Sequence, residues 1–320
     1  MSLKILHNLK QILKRIPFAK KIYFLPRPFL QDYAYKSRLK NLKINKNKLV
    51  ILATLPRSGT HYMQRLLANA LVLNADNIAR NEDYNFPVDI KKTSEMFPNN
   101  WHTSYFNYHN YPFNECKNLS FYTPDRLVKQ LGFDDFTRSH SIHQDKLFKG
   151  SKIIHLRRNP LDYFVSLYFY KYKKRDRDTD KIKSPMDVFY KYRKYYISML
   201  LSYDEAFRKS ENKIFIQTYE SLIENPGIVL HQILLFLGLD ISIDLCDKAA
   251  LFSSIDSVKK QENMGQVVNP TAYKLKGSFT NSGVIGQWKK FFNKNQIHEI
   301  SEFFILNNYP LDNFQLEPTC

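Results

Sequence analysis

The chain has 320 residues, 43% of them hydrophobic and 24% charged, enough for one large core or two small ones and inconsistent with a disordered chain. Nine glycines are too few for collagen-like or linker-rich designs, and three cysteines (Cys116, Cys246 and Cys320) cannot build a disulfide framework or a four-cysteine zinc site, so a reducing compartment is expected. The net charge of +18 is unevenly spread: residues 1–48 hold thirteen Lys or Arg against one acid, Asp32, a net +12, and the remainder carries only +6. A nucleic-acid binder would want a basic face on the folded body, so nucleic acid is not an expected partner.

Residues 1–47 read as a basic extension and 48–320 as a single α/β domain. Ile5, Leu6, Leu9, Ile12, Leu13 and Ile16 form one helical stripe opposite Lys4, Lys10, Lys14 and Arg15, and Pro17 stops the helix. The first reading is a helix docked on its own domain. The second is peripheral contact of residues 1–20 with an anionic membrane at the inner face. The N-terminus lacks the continuous apolar block of a secretory signal. No apolar run approaches the ~18–20 residues of a membrane span, since the longest, Leu230 to Leu239, is broken by His231 and Gln232. A cytoplasmic protein is expected.

Beyond the extension, strands and helices alternate. Residues 48–54 (KLVILAT) predict a buried strand and 60–73 a helix. Residues 81–136 read as irregular and rich in aromatics, among them Tyr84, Phe86, Trp101, Tyr105 and Tyr108. Residues 152–156 (KIIHL) predict a second strand and 160–172 a helix with Pro160 in its first turn. A charged exposed loop over 171–184 follows, then a helix over 186–208. Residues 213–219 predict a third strand, and 226–237 a helix closed by Gly238. This alternation implies a central parallel sheet with helices on both faces.

The first strand runs into Thr54-Leu55-Pro56-Arg57-Ser58-Gly59-Thr60 and then a helix. A strand–turn–helix unit with Gly at the turn presents backbone N–H groups at a helix N-terminus, a P-loop-like phosphate cradle. Arg57 adds a planar cation, and Ser58 and Thr60 add hydroxyls. The Walker pattern is absent, because Thr54 and Thr60 occupy its first Gly and its Lys. The second strand is followed by Arg157-Arg158-Asn159-Pro160, with arginines where a magnesium-holding carboxylate would stand. This favours anion binding without a metal. Two such turns suggest a nucleotide with phosphates at two positions.

These residues resemble the sulfotransferase family that uses 3′-phosphoadenosine 5′-phosphosulfate (PAPS). Residues 54–60 resemble its 5′-phosphosulfate loop, and Arg158-Asn159-Pro160 with Ser166 resembles its 3′-phosphate motif. Tyr219-Glu220-Ser221-Leu222 with Asn225-Pro226 resembles the segment after its next strand, and residues 283–289 (GVIGQWK) its G-x-x-G-x-W-K segment. The order along the chain is the family's.

The resemblance implies site roles. Ser58, Gly59 and Thr60 would bind the 5′-phosphate, and Arg57 would lie near the bridging oxygen. Arg158 and Ser166 would hold the 3′-phosphate. Tyr62 would stack on adenine or serve as a core aromatic, and Tyr219 would reach the adenine edge. His61, Ser282 and Gly283 complete the implied cofactor contacts. His140, in Arg138-Ser139-His140, would be the catalytic base, with His143 its competitor. Histidine suits this work because its ordinary pKa of ~6.5 leaves the ring largely neutral near pH 7. No metal site is expected. One departure stands out: the family commonly has an Arg before the glycine of the last segment, where this chain has Thr280-Asn281-Ser282, so Lys260, Lys274 or Lys276 would have to substitute.

The expected function is in-line transfer of a sulfuryl group from PAPS to a hydroxyl of a small alcohol, phenol or carbohydrate. The alternatives are a metal-dependent nucleotide or small-molecule kinase, and a non-catalytic protein binding polyanions or membrane.

Overall fold

Six consecutive residues, Leu49–Thr54, are fully buried and form β1. The computed structural model describes residues 49–79, 135–140, 142–143, 148, 150–173, 182–209, 213–257, 259, 283–309 and 311–314. The basic extension and the aromatic segment up to residue 134 therefore lie outside the described residues. β2 spans Asp135–Ser139, β3 Lys152–Arg157 and β4 Ile214–Thr218, and the sheet order is β2-β1-β3-β4 with every pairing parallel. β1 is an inner strand of a sheet covered by helices on both faces, which explains its unbroken apolar run: such a strand has no solvent side to alternate with.

The helices are α1 (Thr60–Ala79), α2 (Pro160–Tyr168), α3 (Pro185–Lys209), α4 (Tyr219–Glu224), α5 (Pro226–Leu237), α6 (Ile243–Ser253) and α7 (Lys294–Leu306). Strand side chains alternate between faces. Val50, Leu52, Ile154 and Leu156 pack with Met63, Leu66, Leu230, Ile233, Cys246 and Ala249, which come from α1, α5 and α6. On the opposite face His155 stacks on Tyr203 of α3, ring centres 4.2 Å apart, and Arg157 pairs with Asp204. The sheet thus carries helices on both faces, as its alternating pattern implied. Each fully buried Leu or Ile of this core contributes about 1.5–3 kcal/mol.

Local chemistry sets the helix ends. Asn159 caps α2 by accepting from Leu161 N at 2.9 Å, with Pro160 at the position where a missing N–H costs nothing. Gly238 closes α5 in the left-handed region at φ 87°, and Leu239 N donates back to Leu234 O at 2.8 Å.

Four expectations change. The segment read as irregular through residue 136 already contains the start of β2 at Asp135. Its sequence, DFTRS, has no apolar run, and β1 supplies its ladder partner. α1 runs past Leu73 to Ala79. The helix read over 160–172 is an α-helix only to Tyr168 and then widens to a π-helical turn over Phe169–Lys173, which takes in residues 171–173 of the expected loop and buries Tyr172. α4, α6 and α7 are additional. α7 begins with a reciprocal cap: Asn293 accepts from Gln296 N and Gln296 accepts from Asn293 N.

Candidate active site

In a parallel sheet all strands leave by the same edge. Register places Ala53 opposite Ser139, Thr54 opposite Leu156, and Arg157 opposite Thr218. The next residues of the chain, residues 55–60, His140, Arg158 and Tyr219, therefore emerge together at the carboxyl edge, the customary place for a ligand in an α/β sheet. This is how motifs far apart in sequence become neighbours.

The loop after β1 is a tight turn in which Ser58 N donates to Leu55 O at 3.1 Å. Arg57 has φ 77° and Gly59 φ 86°. A left-handed arginine is uncommon, and such outliers gather at functional loops. A Cβ on Gly59 would lie 2.5 Å from Cδ2 of Tyr219, so the backbone passes directly against that ring. Thr60, opening α1, has its hydroxyl 2.6 Å from that of Thr54. Ser58 Oγ is fully buried and has no hydrogen-bond partner among the described residues. A buried hydroxyl left without a partner in a turn of backbone N–H groups fits a phosphate oxygen.

The second arginine turn meets this loop. Arg158 donates from one terminal nitrogen to the carbonyl of Arg57 at 2.7 Å, and its guanidinium carbon sits 4.5 Å from the centre of the Tyr219 ring. Its Nε has no acceptor among the described residues. Arg57 Nε donates to Ser166 Oγ at 3.4 Å, and its guanidinium lies 4.6 Å over Tyr170. The structure thus gathers Arg57, Arg158 and Ser166, with Arg57 bridging the two motifs. It brings the Arg57 guanidinium to Ser166. Ser282 and the lysines at 260, 274 and 276 lie outside the described residues.

Several residues that the motifs did not single out hold this arrangement. The Tyr196 hydroxyl donates to the carbonyl of Arg158. Glu220 accepts from Asn159 N at 3.0 Å, and burial pushes its carboxyl above the usual range against the pull of that bond and of Arg158. Asp162 is buried, and its carboxylate accepts from Gly286 N at 2.7 Å and Trp288 N at 3.2 Å. That carboxylate anchors the segment that starts at Gly283 to the first turn of α2. Glu220 and Asp162 sit inside or beside recognisable motifs, so an acid in an otherwise apolar stretch was the available signal. Tyr196 carried none, since one tyrosine in a tyrosine-rich helix looks like another.

His140 follows β2 directly. Its Nδ1 is 2.6 Å from Thr54 O and 3.3 Å from Thr54 Oγ1. A carbonyl only accepts, so Nδ1 carries the proton, and in the neutral ring Nε2 is the basic nitrogen. The Tyr195 hydroxyl donates to the His140 carbonyl, and burial pushes Tyr195 up to about 12, which keeps it a protonated donor. His143 is placed differently. Its backbone N donates to Ser202 Oγ at 3.1 Å, and its ring packs edge-on to Phe148 and Tyr203. Tyr62 packs, partly buried, against the core formed with α5 and α6, and burial raises it to about 12. Tyr219 packs against Gly59 and under Arg158, and His61 is half-buried beside Thr60. Among the described residues no group of three His, Cys, Asp or Glu is placed to hold a metal ion, and no helix is long and apolar enough to cross a membrane.

Residues 47–309 match the family model described as the sulfotransferase domain. The chain is 26% identical over 164 residues to the 3-beta-hydroxysteroid sulfotransferase of Cavia porcellus, covering 48% of this chain and 55% of that protein. It therefore spans about half the length of that relative. It is 23% identical over 267 residues to cytosolic sulfotransferase 15 of Arabidopsis thaliana, covering 79% and 69%. Retinol dehydratase, solved in complex with androsterone and the inactive cofactor PAP, superposes with a TM-score of 0.57 at 18% identity, covering 92% of this chain and 88% of that one. A mouse sulfotransferase complexed with PAP gives 0.50 at 17%, covering 82% and 84%. These two structures share the fold. With the family model matched across nearly all of the α/β body, the chain belongs to the sulfotransferase-domain family.

Proposed function

We propose that the protein transfers a sulfuryl group from PAPS to an acceptor hydroxyl by in-line displacement. The observation that carries this reading is the bond from His140 Nδ1 to Thr54 O, which ties a basic Nε2 to the strand end from which the phosphate loop springs. In this reading Ser58, Gly59 and Thr60 hold the 5′-phosphate, and Arg158 and Ser166 hold the 3′-phosphate. His140 Nε2 takes the hydroxyl proton of the acceptor as its oxygen attacks sulfur. The new O–S bond forms while the bond from sulfur to the bridging oxygen breaks, and that oxygen leaves on 3′,5′-adenosine bisphosphate. Arg57, carried by the 5′ loop and reaching Ser166, neutralises the charge that arrives on the leaving oxygen.

The acceptor is a hydroxyl on a small alcohol, phenol or carbohydrate, and the hydroxysteroid in a relative's name supports an alcohol on an apolar body. A cytoplasmic location belongs to the same reading, supported by a buried free thiol at Cys246. So does a separate basic extension over 1–47.

Thermal unfolding with 3′,5′-adenosine bisphosphate, and with ATP plus magnesium, tests the nucleotide. The bisphosphate is expected to raise the midpoint in the presence of a chelator. Stabilisation by ATP and magnesium alone would overturn the reading in favour of a kinase.

A further inference from the structure

Behind the nucleotide cradle, the same two strand ends line a second hollow. Arg157 and Thr218 are paired in register across β3 and β4, and both face a cavity of about 570 Å³. Their immediate successors, Arg158 and Tyr219, meet on the cradle side. Each strand end therefore gives one residue to the cavity and its successor to the cradle. The cavity's size falls within the range of small-molecule pockets, roughly 300–1,000 Å³.

The lining has a polar end and an apolar body. Arg157 is nine-tenths buried, its side chain 10% exposed, and it donates to the Tyr309 hydroxyl at 2.7 Å and to Asp204. Its Nε has no acceptor among the described residues. Arg208, one turn beyond Asp204 on α3, adds a second guanidinium at the solvent side. Two guanidiniums against one carboxylate leave the lining one positive charge in excess. The Gln217 side-chain oxygen Oε1 accepts from Thr218 N at 3.2 Å, so the side-chain amide's remaining group is a donor. Phe207, Phe314 and Leu201 supply the apolar wall, and Leu201 is 37% exposed at the mouth.

We propose that this cavity binds a small organic carboxylate with a flat apolar body. Its acid group would lie against Arg157 and Arg208, and its body against Leu201, Phe207 and Phe314. Two guanidiniums against one carboxylate favour an anion, and planar guanidiniums match a carboxylate. Such a ligand would touch the strand ends that carry the cofactor residues without entering their cradle.

The test is calorimetric titration of 2-naphthoate into the full chain, repeated with 3′,5′-adenosine bisphosphate at saturation. The first titration stands whether or not the nucleotide binds, so failure of the sulfotransferase reading and failure of this one are distinguishable. Saturable binding is expected in both. Arg208→Ala and Leu201→Glu, both at exposed positions, are each expected to weaken naphthoate at least tenfold and to leave bisphosphate affinity within twofold. The neutral 2-naphthamide is expected to bind at least tenfold more weakly than the acid. Absence of saturable binding, naphthoate affinity unmoved by both substitutions, equal binding of the amide, or competition between naphthoate and the bisphosphate would each overturn the proposal.

Discussion

Replacing Arg158 by Ala probes the proposed nucleotide geometry most directly. The side chain is buried, 7% exposed, and it bonds the Arg57 carbonyl at 2.7 Å while its Nε has no acceptor among the described residues. A 3′-phosphate oxygen would satisfy that donor with a charge-assisted bond worth about 1.5–3 kcal/mol, which is roughly a 10- to 150-fold change in Kd. Only a nucleotide that carries the 3′-phosphate loses this bond. Calorimetry with 3′,5′-adenosine bisphosphate and with 5′-AMP isolates it, since both present the 5′-phosphate to the loop over 54–60. Wild type is expected to prefer the bisphosphate, and Arg158→Ala to shrink that preference by the stated factor, with 5′-AMP affinity held within about threefold. Loss of the bond to Arg57 lowers stability too, so unfolding midpoints are measured alongside and titrations run well below them. If both nucleotides weaken equally, Arg158 serves only to brace the Arg57 turn, and its assignment to the 3′-phosphate fails.

Three further outcomes are expected. His140→Ala should cut turnover by ~10²–10⁴ with bisphosphate affinity nearly unchanged, while His143→Ala, whose ring packs on Tyr203, should be mild; the reverse pattern moves the base to His143. His155 is fully buried, and burial, followed by the charge of Arg157, holds its pKa well below 6.5. The unfolded chain takes up this proton near pH 6.5 and the folded chain only far below it, so stability falls as pH drops through that value, by up to about 1.4 kcal/mol per pH unit. Urea unfolding from pH 7.5 to 5 measures the slope, and His155→Asn, which retains a donor for Ala53 O, should flatten it; an unchanged slope rejects the assignment. For residues 1–20, salt-sensitive flotation with anionic vesicles, abolished by their deletion, is the outcome expected of a surface helix, and flotation that survives deletion refutes it.

Three of the strands and the turn over 54–60 were legible because their signals are local. LVILAT is a short β-branched apolar run that reads as a covered strand, and a Gly between that strand and a helix permits a positive φ at one position. The arginine turn and the Pro160 helix start were legible for the same reason. β2 was not, since DFTRS becomes a strand only when β1 offers its edge. The resemblance pointed to His140 rather than His143, three residues on, but not to their surroundings: the return of β2 beside β1 sets one ring against Thr54 O, while the other packs on α3. Nothing local marks Asp162 as the anchor of residues 286–288, or Tyr196 as the clamp on Arg158, because each bond spans a separation that only the fold closes. Composition and short-range pattern determined β1, β3, β4 and the helices α1, α2, α3 and α5, but not β2, α4, α6 or α7. The parallel register determined which of their ends share an edge, and with it which arginines, hydroxyls and imidazole form one site.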